Sequence, residues 1–190
     1  MSPESTRRAT ESERHADDTE VIDAFTHVLP ESFLDRMEED HPSDELAAMD
    51  DDRFWSVEQR FEDMDAAGID RQVLTLARAS LLRGLDPEAA LPLVQAANDA
   101  VAEYAEQSDR FIPVGTLPFL TGGYLDELDR CVDDLGMAGV QVFSNVEGEP
   151  LDAEAHEPFF QRADQRDVPL WLHPQLHEWH EWDSQHMLHK

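Results

Sequence analysis

Two histidines close segments that read as β-strands. The first segment runs from Val21 to His27 (VIDAFTH), shortly before Pro30. Alternation along it puts Asp23, Phe25 and His27 on one face, with His27 at the carboxyl end. The second runs from Val168 to His173 (VPLWLH) and is followed by Pro174. Neutral imidazole binds Zn²⁺ well, so histidines at the carboxyl ends of separate parallel strands can converge on one metal ion. Taken singly, a histidine at a strand end is more often a structural hydrogen-bonding residue than a ligand. The tail adds His177, His180, Glu181, His186 and His189 at spacings of three and four, which a helix would group on one face. Those side chains are either further metal ligands or part of a polar segment over the mouth of a site. Asn145 either lines a pocket or begins a turn, and Cys131, beside Val132 in a helical pattern, reads as core. No GxxxxGK[ST] loop and no GxSxG elbow occurs, and Gly122-Gly123 reads as a turn.

These residues need elements to hold them. Residues 1–20 are polar and aperiodic and read as a disordered lead-in, so a single domain is expected over 21–190. After the first strand an acidic insertion, Glu31 to Trp55, leaves room for a short helix or two. Phe54, Val57, Phe61, Met64 and Ala67 recur at helical spacing, and Gly68 stops that helix. Arg71 to Ala77 reads as the second strand, Pro87 to Ser108 as a long helix, and Phe111 to Leu117 as the third strand. A helix from Tyr124 to Leu135 leads to a fourth strand, Gly139 to Ser144. A helix from Asp152 to Asp167 leads to the strand that ends in His173. Strands alternating with helices predict an α/β fold with a parallel sheet of right-handed βαβ units. Either a five-stranded doubly wound sheet or the first five units of a (β/α)8 barrel fits, since a whole barrel takes about 250 residues.

Composition narrows the partners. The 190 residues hold 14 Lys+Arg against 43 Asp+Glu, a formal net charge of -29. Nucleic acid and anionic membrane surfaces would repel such a chain. No apolar run approaches the ~18 residues of a membrane span, and the N-terminus lacks the apolar core of a signal peptide, so a cytoplasmic protein is expected. One cysteine excludes a disulfide framework. Lys occurs only at Lys190, and a carboxylate-rich surface almost without lysine resembles the composition of salt-loving archaea. Dense carboxylates stay hydrated where molar salt screens their repulsion.

With this context the motifs become specific. Ile22-Asp23-Ala24-Phe25-Thr26-His27-Val28-Leu29-Pro30 resembles the opening Ile-Asp-x-His-x-His-x-x-Pro of amidohydrolase-related proteins of the aminocarboxymuconate-semialdehyde decarboxylase type. Arg60 to Leu74, Ala97-Asn98-Asp99, Asp109 to Pro118, Gly136 to Ser144 and Pro169 to Pro174 resemble later segments of that family in the same order. The resemblance implies an incomplete (β/α)8 TIM-type barrel of about five βα units. It also implies a metal-dependent carboxy-lyase or hydrolase for a small carboxylated substrate. In the family a divalent ion, usually zinc (with manganese as the alternative), is held by the two opening histidines, the fifth-strand histidine and a late aspartate. A sixth-strand histidine assists catalysis. The matched ligands here are His27 and His173. Arg60 stands where the decarboxylase branch grips a substrate carboxylate, its alternative being an exposed helix-end ion pair.

Two departures qualify the likeness. Phe25 stands where the first opening histidine belongs and cannot ligate, which leaves Asp23 as a partner able to orient an imidazole. The residues also end at Lys190, before the sixth to eighth strands, so the family's late histidine and aspartate have no counterpart. Trp171, Trp179 and Trp182 would wall the site mouth or fill the core. Open strand edges would then need a second copy, a completing partner chain or a longer parent protein. The rival expectation from another class is a catalytically inactive remnant or partner-binding module of the same fold. A flavodoxin-like nucleotide binder is disfavoured by the missing phosphate loop.

Overall fold

The computed structural model describes residues 19–40, 54–82 and 85–175. The first strand, β1 (Ile22–Val28), leads into α1 (Glu31–Asp40). Helix α2 (Val57–Ala67) starts at Ser56, whose side chain accepts from the Gln59 N–H, a cap worth about 1 kcal/mol. It ends at Gly68, held at φ +71°, the left-handed conformation that favours glycine. β2 (Arg71–Leu76) is followed by a short 3-10 turn, Ala79–Leu82, and by α3 (Pro87–Ala105), capped by Asp86. Then come β3 (Phe111–Pro113), β4 (Gly115–Thr116), α4 (Tyr124–Asp133) and β5 (Val140–Phe143). A hairpin of β6 (Asn145–Val146) and β7 (Glu149–Pro150) precedes a 3-10 turn at Glu154–His156, α5 (Glu157–Gln165) and β8 (Leu170–His173). Ion pairs of Arg162 with Asp129 and of Arg166 with Asp133 join α5 to α4.

The main strands follow one another in chain order. β1 pairs β2 and β2 pairs β3, all parallel; β4 pairs β5 and β5 pairs β8, also parallel. A doubly wound sheet needs a reversal of strand order. Sequential order with right-handed crossovers instead curls the sheet into a barrel wall. The curl is visible in two contacts between the outermost strands. The Trp171 indole N–H donates to the Ala24 carbonyl at 2.8 Å, and the rings of His27 and His173 lie 5.7 Å apart.

The third expected strand is broken in two, because it changes neighbours along its length. β3 faces β2, β4 faces β5, and between them the Val114 N–H still reaches the Leu74 carbonyl at 3.0 Å. In β4, Gly115 and Leu117 donate toward β5, so the Thr116 N–H faces the other way. Asn98 of α3 takes the place of a strand there: its Oδ1 accepts from Thr116 N at 2.8 Å and its Nδ2 reaches Glu127 at 2.7 Å. The expected helix over 152–167 is shortened, with a 3-10 turn at its start and Pro158 in its first turn. The hairpin was not expected. Its two loop residues, Glu147 and Gly148, both have positive φ (+50° and +90°), the signature of a tight I′ turn.

One apolar core runs through the domain, from Val28, Met64 and Leu74 to Leu117, Tyr124 and Phe159. β5 is buried along its whole length, whereas the outermost strands are not: Ile22, Phe25 and Leu172 are exposed. No described helix is long and apolar enough to cross a membrane. The expected lead-in over residues 1–20 and the tail histidines fall almost wholly outside the described residues.

Candidate functional site

The carboxyl ends of the strands surround a cavity of about 310 Å³. His27 from β1, Arg78 after β2, Gln141 and Phe143 from β5, and His173 from β8 are among the residues that border it. In a parallel barrel this end is where catalytic groups gather. The two histidines predicted to share a site are therefore brought together, on the outermost strands of the curled wall.

Hydrogen bonds settle which imidazole nitrogen is free. The Thr75 hydroxyl donates its one hydrogen to the Thr26 carbonyl at 2.8 Å, so toward His27 Nδ1, also at 2.8 Å, it can only accept. Nδ1 of His27 thus carries the proton and Nε2 keeps a lone pair. His173 Nδ1 sits 2.8 Å from the Pro174 carbonyl, which accepts only, so its Nε2 is likewise the free nitrogen. A ligating histidine is commonly oriented in this way, by a donor bond from its other nitrogen. Burial, then the neighbouring His173 and Arg60, push the His27 pKa below its ordinary 6.5. That keeps the ring in the neutral form a metal requires.

Two imidazoles on one tetrahedral ion, bonded at ~2 Å, place their ring centres roughly 5 Å apart. The separation of 5.7 Å, with the ring planes 41° apart, suits that arrangement. The pair fits a divalent ion as half of a ligand set. Among the described residues no group of three or more His, Cys, Asp and Glu side chains is gathered for a metal. Phe25, in place of an opening histidine, presents its ring edge-on to both imidazoles, 5.5 Å from His27 and 5.9 Å from His173. Phe143 adds a ring 5.4 Å from His173. These rings make the surroundings of the pair apolar.

The remaining expected site residues lie elsewhere. Arg60 is not among the described residues that line the cavity, and it does not sit exposed at a helix end. It is 7% exposed, and its guanidinium donates to the His27 carbonyl at 2.8 Å and to Gln72 at 3.1 Å. It braces β1 against β2 from behind the site. Asp23 meets Gln72 Nε2 at 3.5 Å, and no hydrogen bond to an imidazole is formed by it in the described structure. Asn145 closes the hairpin turn: its Oδ1 accepts from Gly148 N at 3.1 Å, and its Nδ2 donates to the Gln175 carbonyl at 3.0 Å. Trp171 ties β8 to β1 and lies over Gly139. Thr75, Gln141 and Arg78 were not anticipated. Gln141 could have been read as the lone polar residue of an otherwise apolar strand.

Comparison with known proteins gives one consistent answer. A family described as amidohydrolase matches residues 22–188. The chain is 30% identical over 173 residues to a 2-amino-3-carboxymuconate-6-semialdehyde decarboxylase of Dictyostelium discoideum, covering 80% of this chain and 48% of that protein. It is 37% identical over 124 residues to a gamma-resorcylate decarboxylase of a Rhizobium species, covering 60% of this chain and 38% of the relative. Among solved structures, a 5-carboxyvanillate decarboxylase of Novosphingobium aromaticivorans with bound manganese superposes with a TM-score of 0.71 at 27% identity, over 90% of this chain and 56% of that one. A dihydroxybenzoic acid decarboxylase of a Polaromonas species, with manganese and 2-nitroresorcinol, gives 0.69 at 25% identity, over 89% and 54%. The chain thus spans about half the length of such relatives or less.

Proposed function

The chain belongs to the amidohydrolase family, and from that premise we propose that it supplies part of the metal site of a non-oxidative decarboxylase acting on a small carboxylated aromatic compound. The observation that carries this reading is the pair of free Nε2 atoms, on His27 and His173, facing one cavity. The two relatives and the two solved structures named above are decarboxylases by their names.

His27 and His173 would hold the ion, zinc or, as in the two solved structures named above, manganese. A divalent ion bound there supplies Lewis-acid polarisation of a substrate oxygen. The chain's own residues do the rest. Thr75 and the Pro174 carbonyl keep the Nδ1 protons in place, and Phe25 and Phe143 reduce the water around the rings. Arg78, rather than Arg60, is the arginine that borders the cavity, and its guanidinium takes the substrate carboxylate. The backbone there has φ +57°, a conformation a non-glycine residue adopts at a cost and which gathers at functional sites. The net charge of -29 and single lysine support work in a salt-rich cytoplasm.

The test is metal add-back to the stripped chain in high salt, followed by carbon dioxide release from hydroxybenzoates. The expected result is up to one ion per chain, abolished by His27→Ala and by His173→Ala, with Arg78→Met raising KM at unchanged metal content. An unchanged metal content in both histidine variants would sink the shared site. A second reading, an interaction module of the same fold, draws on the exposed apolar residues Ile22, Phe25 and Leu172 of the outermost strands. It predicts a stable complex with a second chain and no turnover with any metal.

A further inference from the structure

Gln141 carries an unmet hydrogen-bonding demand at the site. It is fully buried, and neither its Oε1 nor its Nε2 has a partner among the described residues. In register it stands beside Thr116 of β4 and Trp171 of β8, and Thr116 Oγ1 is buried without a partner as well. The same face of β5 carries Phe143, which touches His173, so this row of side chains looks into the curled wall. Gln141 also borders the cavity that holds both histidines.

A buried amide with nothing to bond is costly to keep, because each unpaired group has given up its water without a replacement. A leucine would fill the same volume at no such cost. We propose that Gln141 is a binding and specificity-determining residue, whose carboxamide takes a hydrogen-bond donor and an acceptor on the molecule held between His27 and His173. This assignment rests on the decarboxylase reading above. The Gln141 stem has three rotatable bonds, and the residue borders the cavity. Its C=O accepts and its NH₂ donates, side by side. A bare carboxylate offers acceptors only and would leave Oε1 unpaired. A carboxylate with a neighbouring hydroxyl offers both, so the amide favours hydroxylated over plain aromatic acids.

The test uses the full chain with manganese in high salt, titrated with 2,6-dihydroxybenzoate and with benzoate, in parallel with the variants Gln141→Leu and Gln141→Glu. The wild type is expected to bind the dihydroxy acid more tightly. Gln141→Leu is expected to weaken both acids, which lose the bond from Nε2 to the carboxylate, and to weaken the dihydroxy acid about tenfold more, the further loss of one neutral hydrogen bond to Oε1, while the melting midpoint of the ligand-free chain stays level or rises. Gln141→Glu, which keeps the shape but repels an anion, should weaken both acids. Unchanged selectivity in Gln141→Leu overturns the assignment. So does a lowered midpoint, which would mean the amide is bonded within the fold. If the wild type binds neither acid, the decarboxylase reading fails and this inference fails with it.

Discussion

Replacing Thr75 by valine isolates the claim that His27 is set up to bind metal. Valine keeps the branched shape of threonine in a site with no exposure, and only the hydroxyl is lost. Two hydrogen bonds of 2.8 Å go with it, from His27 Nδ1 and to the Thr26 carbonyl. Each is worth about 1 kcal/mol net, so a fall of ~2 kcal/mol in folding stability is expected. The effect on the metal is separate. Without an acceptor at Nδ1, the imidazole is free to move its proton to Nε2, which removes the lone pair from the cavity. Loss of such an orienting partner typically lowers metal affinity 10–100-fold. Chelator competition for zinc and for manganese, run well below the melting midpoint, measures this directly. Nitrogen NMR of the imidazoles reads the tautomer. Thr75→Ser is the control, because it restores the hydroxyl and should restore affinity. His173 offers no equivalent experiment, since its Nδ1 partner is a backbone carbonyl. If Thr75→Val binds either metal as tightly as the wild type, with the tautomer unchanged, the orienting role is refuted.

Three further outcomes are expected. Gly139→Ala should lower stability by ~3 kcal/mol in denaturant titration, because a Cβ there would meet the Pro169 carbonyl oxygen at 2.3 Å and the Trp171 ring at 2.7 Å; an unchanged midpoint would show that β8 yields freely. Asn98→Ala should cost about 3 kcal/mol by leaving the Thr116 N–H unpaired and taking a donor from buried Glu127, and a loss under 1 kcal/mol would count against its strand-like role. Burial, with the nearby Glu127, pushes the Cys131 thiol well above its ordinary 9.0, so the folded chain holds that proton after the unfolded chain has released it. Stability should therefore fall as pH rises past 9. Burial of Tyr124 acts in the same direction, so Cys131→Ala should flatten the fall only in part. An undiminished slope in that variant would contradict the assignment, as would alkylation of Cys131 in the native state.

The order of elements was legible because each apolar run keeps its period and the end of α2 is marked by Gly68; the caps at Ser56 and Asp86 are further marks that the structure shows. The break at Val114 was not, since it arises when one strand exchanges β2 for β5 as a neighbour, a fact about the sheet and not about the segment. For Arg60, spacing could have ruled out the exposed ion pair at a helix end. It stands four residues before Met64, on the same helix face, and both are buried against the sheet.

The histidines were legible for a different reason: a strand end is a position, and position in a parallel barrel already names the catalytic end. What orients them is a matter of register. Asp23 stands opposite Gln72, and an uninterrupted ladder from that pair would set His27 opposite Leu76. The irregularity between Asp23 and Thr26 shortens the count by one, so His27 faces Thr75 instead. A slip of one residue exchanges the two faces of a strand. Here that single irregularity converts an apolar neighbour into the hydroxyl that holds the Nδ1 proton. Nothing in the composition of VIDAFTH or RQVLTLA announces it, because a bulge is decided by how two strands meet. A variant that restored the regular ladder would therefore keep both histidines and lose the free Nε2 of His27.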